Sequence, residues 1–171
     1  MDKAWKFHRV LDATFPEEGT VPYLHDCIAE DLRVEDGKLI FDFPDGFWLL
    51  PWDESNPFDE VHRSSASRVT MELYTHSPED DLFIQLFKRH RFFRGCGFET
   101  VTCIDANTLI ENIHSKKWQL EFIQRYTNPT NPQSAMYYCA IHSKKYMDCW
   151  IKMDYTQIDY YWDEVLEDRV W

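Results

Sequence analysis

The chain lacks most of the features that announce a chemistry. Only five of its 171 residues are glycine, and neither G-x-x-x-x-G-K-[ST] nor G-x-G-x-x-G, the glycine patterns that cradle phosphates, occurs. The G-x-S-x-G turn of serine hydrolases is missing too. The five cysteines, Cys27, Cys96, Cys103, Cys139 and Cys149, are odd in number and form no C-x-x-C pair, which speaks against a disulfide framework or a zinc knuckle. No apolar run reaches the length of a membrane span, and "MDKAWKFHRV" has no secretory h-region. These absences lead to the expectation of a cytoplasmic protein with reduced thiols, no membrane segment, no metal and no cofactor.

Positive charge is also scarce. Eighteen Lys and Arg face thirty Asp and Glu, a net charge of −12, with a pI near 4.9. Such a surface repels phosphate backbones, so nucleic acid is not the expected partner. One strip, "FKRHRFFRG" (87–95), interleaves Lys88, Arg89, Arg91 and Arg94 with aromatics, a composition that single-strand binders use. A strand with one solvated basic face is the favoured account of it. The overall sign suits a basic protein as partner.

Aromatic residues are plentiful at 16%, within a hydrophobic fraction of 44%. The length suits one domain with a core, burying about 70% of the unfolded surface. Alternation dominates the chain. "CIAEDLRV" and "KLIFDF" flank Asp36-Gly37, a hairpin signal. "FWLL" (47–50), "RVTMELYT" (68–75), "LFIQLFKRHR" (82–91), "FETVTCI" (98–104), "KWQLEFIQRYT" (117–127), "AMYYCAIH" (135–142) and "YMDCWIKMDY" (146–155) with "TQIDYYW" (156–162) read as further strands. In "KWQLEFIQRYT", Trp118, Leu120, Phe122 and Tyr126 alternate against Gln119, Glu121 and Arg125. Ser77-Pro78-Glu79-Asp80 resembles a helix start, but the following residues are β-prone. "DANTLIENIHS" is the one clear helix, capped by Asp105. The tail "WDEVLEDRVW" changes to helical spacing and predicts a short closing helix, and 51–65 reads as a long loop. The expected fold is therefore mainly β (α+β): a single domain over 1–171, an antiparallel β-sandwich or open barrel of about eight to nine strands with one or two short helices.

Three constellations carry chemistry-bearing residue types. His25-Asp26-Cys27 opens a strand, where neighbours point to opposite faces, so Asp26 is not expected to orient His25, nor His25 to activate Cys27. The loop "DESNPFDEVH" holds Asp53, Glu54, Asp59, Glu60 and His62, without the spacing of a calcium loop or a zinc hydrolase. His25, Asp26, Asp59 and His62 are the polar-site candidates, with a solvated loop as the simpler account. Cys139 and His142 fall on opposite faces of their strand, which spoils a zinc site. No catalytic residue follows from any of these. Aromatics are the stronger signal. Trp52 and Phe58 sit in the acidic loop, and Trp150, on the polar parity of its strand beside Asp148 and Lys152, joins Tyr160 and Trp162 in an aromatic-rich last third. These five are the candidate binding residues.

"LHDC" before an alternating strand with its Asp-Gly turn, then "DLFIQLFK", "SKKWQLEFI" and the closing "IDYYW", resemble small bacterial β-rich proteins, some of them immunity proteins of polymorphic toxin systems. That resemblance implies a cytoplasmic protein-binding module, an immunity-like inhibitor of a basic protein, and carries over no catalytic residue. A β-barrel that binds a small molecule through its aromatics is the alternative. An enzyme built on His25 and the acidic loop is the third reading.

Overall fold

The computed structural model describes residues 3–12, 22–91 and 97–171. Its strands are β1 (Phe7–Asp12), β2 (Cys27–Ala29), β3 (Asp31–Glu35), β4 (Lys38–Phe43), β5 (Trp48–Leu49), β6 (His62–Ser64), β7 (Ser67–Leu73), β8 (Leu82–Arg91), β9 (Gly97–Ile104), β10 (Gln119–Thr127), β11 (Ser134–His142), β12 (Met147–Trp162) and β13 (Val165–Val170). The helices are α1 (Pro78–Asp81) and α2 (Ala106–His114). The fold is the expected one, mainly β and antiparallel, without closing into a barrel.

A sixteen-residue strand organises it. The first half of β12 lies between β11 and β8, and the second half lies between β7 and β1. The register slips between Tyr155 and Gln157, at the change of neighbours. β12 therefore belongs to two sheets at once: β9-β8-β12-β11-β10-β2 on one side and β1-β12-β7-β4-β3 on the other. Their inner faces meet through Phe122, whose ring is 5.5 Å from Phe41 and 5.8 Å from Phe43. A continuous apolar core fills the space between, and α2 closes one end with Leu109 and Ile113 buried. Asp105 caps α2 as expected, accepting from the Thr108 amide at 2.6 Å. Opposite, the small sheet β13-β6-β5 sits beside the core, with Phe47 edge-on to both Tyr160 and Trp162.

Four expectations change. The tail is strand β13, not a helix, because the open edge of β6 satisfies its backbone groups and a helix this short is marginal without caps. Residues 62–64, expected in a loop, form β6 in the same small sheet. "CIAEDLRV" is not one strand. It breaks at Glu30, whose amide donates to the Asp42 carbonyl at 3.0 Å, so β2 joins one sheet and β3 the other. The break flips the alternation: Cys27, Ala29 and Leu32 are buried. β1 lies in a segment not read as a strand. Residues 92–96, which include Arg94 and Cys96 of the basic strip and the expected turn, lie outside the described residues.

Candidate functional site

Strand alternation gives the two sheets very different outer faces. The β1-β12-β7-β4-β3 sheet is polar outside. Asp42 accepts from Arg33 at 2.6 Å and from Arg68 at 2.7 Å. Burial pushes the Asp42 carboxyl up, but the two guanidinium bonds outweigh it and hold it below the usual carboxylate range. Asp159, 3% exposed, accepts from Gln157 and bonds the ring of His8 at 2.7 Å.

The other outer face is aromatic. Trp150 lies at its middle, paired in register with Tyr138 on one side and Gln85 on the other. Its ring centroid is 5.2 Å from Tyr138 and 5.5 Å from Tyr126. The Tyr138 hydroxyl donates to Asp148 at 2.7 Å. Met136 pairs with both Tyr126 and Lys152, Phe83 also with Lys152, and Phe87 with Asp148 and Val101, so apolar side chains extend the row on both sides. Phe83 is 52% exposed and Tyr126 49%. Fixed rings of this kind lose little side-chain entropy on binding.

Of the five candidate binding residues, only Trp150 belongs to that face. Tyr160 and Trp162 do not form a surface at all: they are 2% and 1% exposed and pack inwards on Phe47. The slip at Tyr155/Gln157 sets this inward phase. Phe58 is half-buried and stacks on His62 at 4.1 Å. Trp52 is 66% exposed in the acidic loop. That loop is built on two buried polar residues. Asp53 accepts from the Ser55 amide at 2.9 Å and hydroxyl at 2.7 Å, and the Asn56 amide donates to the carbonyls of Leu49, Leu50 and Glu60.

The polar candidates do not assemble. His62 is buried and its Nδ1 bonds the Leu166 carbonyl at 2.9 Å, while Asp59 is exposed. No hydrogen bond or ion pair joins either of them to His25 or Asp26. His25 and Asp26 do touch, contrary to the expectation for a strand. They precede β2 in a turn where Asp26 has φ 54°, which brings its carboxylate 3.4 Å from His25 Nε2. The His25 Nδ1 bonds the Ile123 carbonyl, and its ring stacks on Trp171 at 5.3 Å. Burial pushes the neighbouring Cys27 thiol up to about 12, against a smaller pull from Arg63, so it is no nucleophile near neutral pH. Among the described residues no three His, Cys, Asp or Glu side chains are grouped to hold a metal ion. No helix among the described residues is long and apolar enough to cross a membrane.

Sequence reasoning missed one residue with an unusual setting. β10 slips register between Phe122 and Gln124, so Arg125 pairs with Tyr137 on the inner face and Tyr126 turns out. The expected alternation had them the other way round. No residue type marks a bulge of this kind in advance. No family model matches the chain, and no curated protein or solved structure matches it.

Proposed function

We propose that the chain is a protein-binding module whose docking surface is the outer face of the six-stranded sheet centred on Trp150, and that its partner is a basic protein held in the manner of an immunity-type inhibitor. The observation that carries this reading is the Tyr126–Trp150–Tyr138 row, extended by Phe83, Phe87, Val101 and Met136, on an outer face that also holds the Lys152–Asp154 and His142–Glu121 pairs, whereas the other outer face is built around the Arg33–Asp42–Arg68 ion pairs. Contiguous exposed aromatics on a fixed sheet are what partner surfaces present. Asp148 and Glu121 stand within the face, and a net charge of −12 steers a basic partner towards it.

Affinity capture from the native source, with bound proteins identified by mass spectrometry, tests the reading. Wild-type protein and a variant of the polar face, Arg33→Ala, are expected to retain one and the same basic protein, and Trp150→Ala and Tyr126→Ser to lose it. Retention by Trp150→Ala equal to wild type, or an acidic partner, would overturn it. Circular dichroism of each variant separates lost binding from lost fold.

A further inference from the structure

The six-stranded sheet ends in an unfinished edge. β8 pairs with β12 only over residues 82–87, but with β9 over residues 84–91, without a register shift. Residues 88–91 and 97–100 therefore project beyond the sheet as a two-stranded arm. The His90 ring stacks on Phe98 at 4.6 Å and its Nε2 hydrogen-bonds the Thr100 hydroxyl at 2.9 Å, which ties the two strands of the arm together.

No strand among the described residues pairs with the other edge of β9. From Phe98 to Cys103 its side chains are exposed or half-buried on both faces: Phe98, Thr100 and Thr102 on one, Glu99, Val101 and Cys103 on the side of Trp150. Edge strands are normally kept single by proline, lysine, a bulge or a covering loop. β9 has no proline, no lysine and no bulge, and it carries one charge, Glu99. A two-stranded ribbon is marginal in water, and a third strand supplies the pairing it lacks.

We propose that β9 pairs with β9 of a second copy of this chain, antiparallel and centred on Val101, so that two six-stranded sheets join across a two-fold axis. Two observations point to a second copy as the occupant. The first is self-complementarity. Centring on Val101 sets Phe98 opposite Ile104, Thr100 opposite Thr102 and Glu99 opposite Cys103. An aromatic then meets a β-branched residue, threonine meets threonine, and the one charge never faces itself. The second is charge. Residues 82–104 hold four basic residues, Lys88, Arg89, Arg91 and Arg94, against Glu99, in a chain of net charge −12. At the other end β9 runs into Asp105, whose backbone is extended, and Glu79 beside it accepts from the Asn107 amide at 3.1 Å, with Asp80 next in α1. In the antiparallel pairing each arm runs past Ile104 of the other copy towards that acidic corner. Gly97, the ladder partner of Arg91, comes opposite Asp105. The basic arm of each copy thus meets the acidic base of the other. The pairing uses a strand edge and does not depend on the aromatic face; it sets both Trp150 faces on the same side of the joined sheet.

Sedimentation velocity of the full chain over a concentration series tests the pairing, with circular dichroism of each variant as the control of fold. A reversible dimer is expected. Thr102→Lys alters an exposed side chain on the face away from Trp150 and brings two like charges together beside the axis. It is expected to raise the dimer dissociation constant about tenfold or more. Glu99→Cys, in a Cys96→Ser background treated with oxidised glutathione, is expected to give a dimer linked between position 99 and Cys103 of the other copy, because directly opposed residues lie within disulfide reach. Within one chain the two positions are about 13 Å apart along an extended strand and cannot be bridged. A chain that stays monomeric at every concentration, a dimer that Thr102→Lys leaves as tight as wild type, or a dimer without the 99–103 link would each overturn the proposal. Loss of the dimer in Trp150→Ala alone would assign the contact to the aromatic face and overturn it as well. The cross-link stays informative if Thr102→Lys does not fold.

Discussion

The ring of His25 holds the carbonyl of Ile123, the residue at which β10 bulges and changes which side chains face the core. A carbonyl only accepts, so Nδ1 carries the proton and donates. His25 is therefore a positioning residue for the inner face, four residues before β2 ends, and it takes no part in an assembled catalytic group.

His25→Ala removes that bond and the stacking on Trp171. The unfolding free energy in urea is expected to fall by about 1–2 kcal/mol. A midpoint unchanged from wild type would mean that the bulge stands without the ring.

Asp42 ties stability to acid pH. Its folded pKa is lowered, so the stabilisation is fully present above the unfolded value of 3.8 and is lost as pH falls through the folded pKa. Asp42→Asn is expected to cost about 1 kcal/mol at pH 7 and to flatten the decline of melting temperature below pH 4. An equally steep decline in the variant would assign the acid sensitivity to other carboxylates.

The thiols divide by burial. Cys103 is exposed, whereas Cys27, Cys139 and Cys149 are buried. Burial pushes the Cys149 thiol up to about 12 and the Cys139 thiol up as well, and the Cys27 thiol, also at about 12, is raised mainly by burial. Brief iodoacetamide treatment at pH 8 followed by peptide mapping is expected to modify Cys103 and to spare Cys27, Cys139 and Cys149 until denaturant is added. Above the unfolded thiol value of 9.0 the unfolded chain ionises first, so stability declines from there towards pH 12.

Two glycines with positive φ differ in what surrounds them. A Cβ at Gly46 would lie 2.1 Å from the Ser64 carbonyl, which is backbone and fixed in β6. A Cβ at Gly37 would lie 2.7 Å from both the Cβ and the Nδ1 of His76; the ring can turn away, and the Cβ has to shift with its backbone, which lies in an exposed bend outside any strand and gives more readily than β6. Thermal melts are expected to show Gly46→Ala losing about 3 kcal/mol or more and Gly37→Ala about 1 kcal/mol. Equal losses would mean that only the backbone angle matters.

The fold was largely legible because alternation and turn chemistry are local. Asp36 and Gly37 have φ 51° and 75°, the pair of positive angles a two-residue hairpin turn needs, and the residues there supply them. The bend in β12 was half-visible, since the apolar parity runs through Cys149, Ile151 and Met153 and then resumes at Ile158, Tyr160 and Trp162. The bulge in β10 was not visible, because Tyr126 continues the apolar alternation that the backbone abandons. The tail misled because Val165, Leu166 and Val170 fit a helical stripe, while the available edge of β6 decides their state. Trp150 was picked out by its parity. Its neighbours Tyr126 and Phe83 needed the strand order, which lies beyond any local signal.

Because β12 runs through both sheets, neither sheet can melt and leave the other whole. Opening the β7–β12 ladder frays the strand that β11 and β8 also need. Amide exchange along Cys149–Tyr160 should then report a common free energy, that of global unfolding, and the chain should lose its structure in one step rather than sheet by sheet. The pairings that create this unity join residues far apart in sequence, such as His8 with Tyr161 and Tyr160 with Val69. Folding is accordingly expected to be slow, with the closing of those long loops as its barrier.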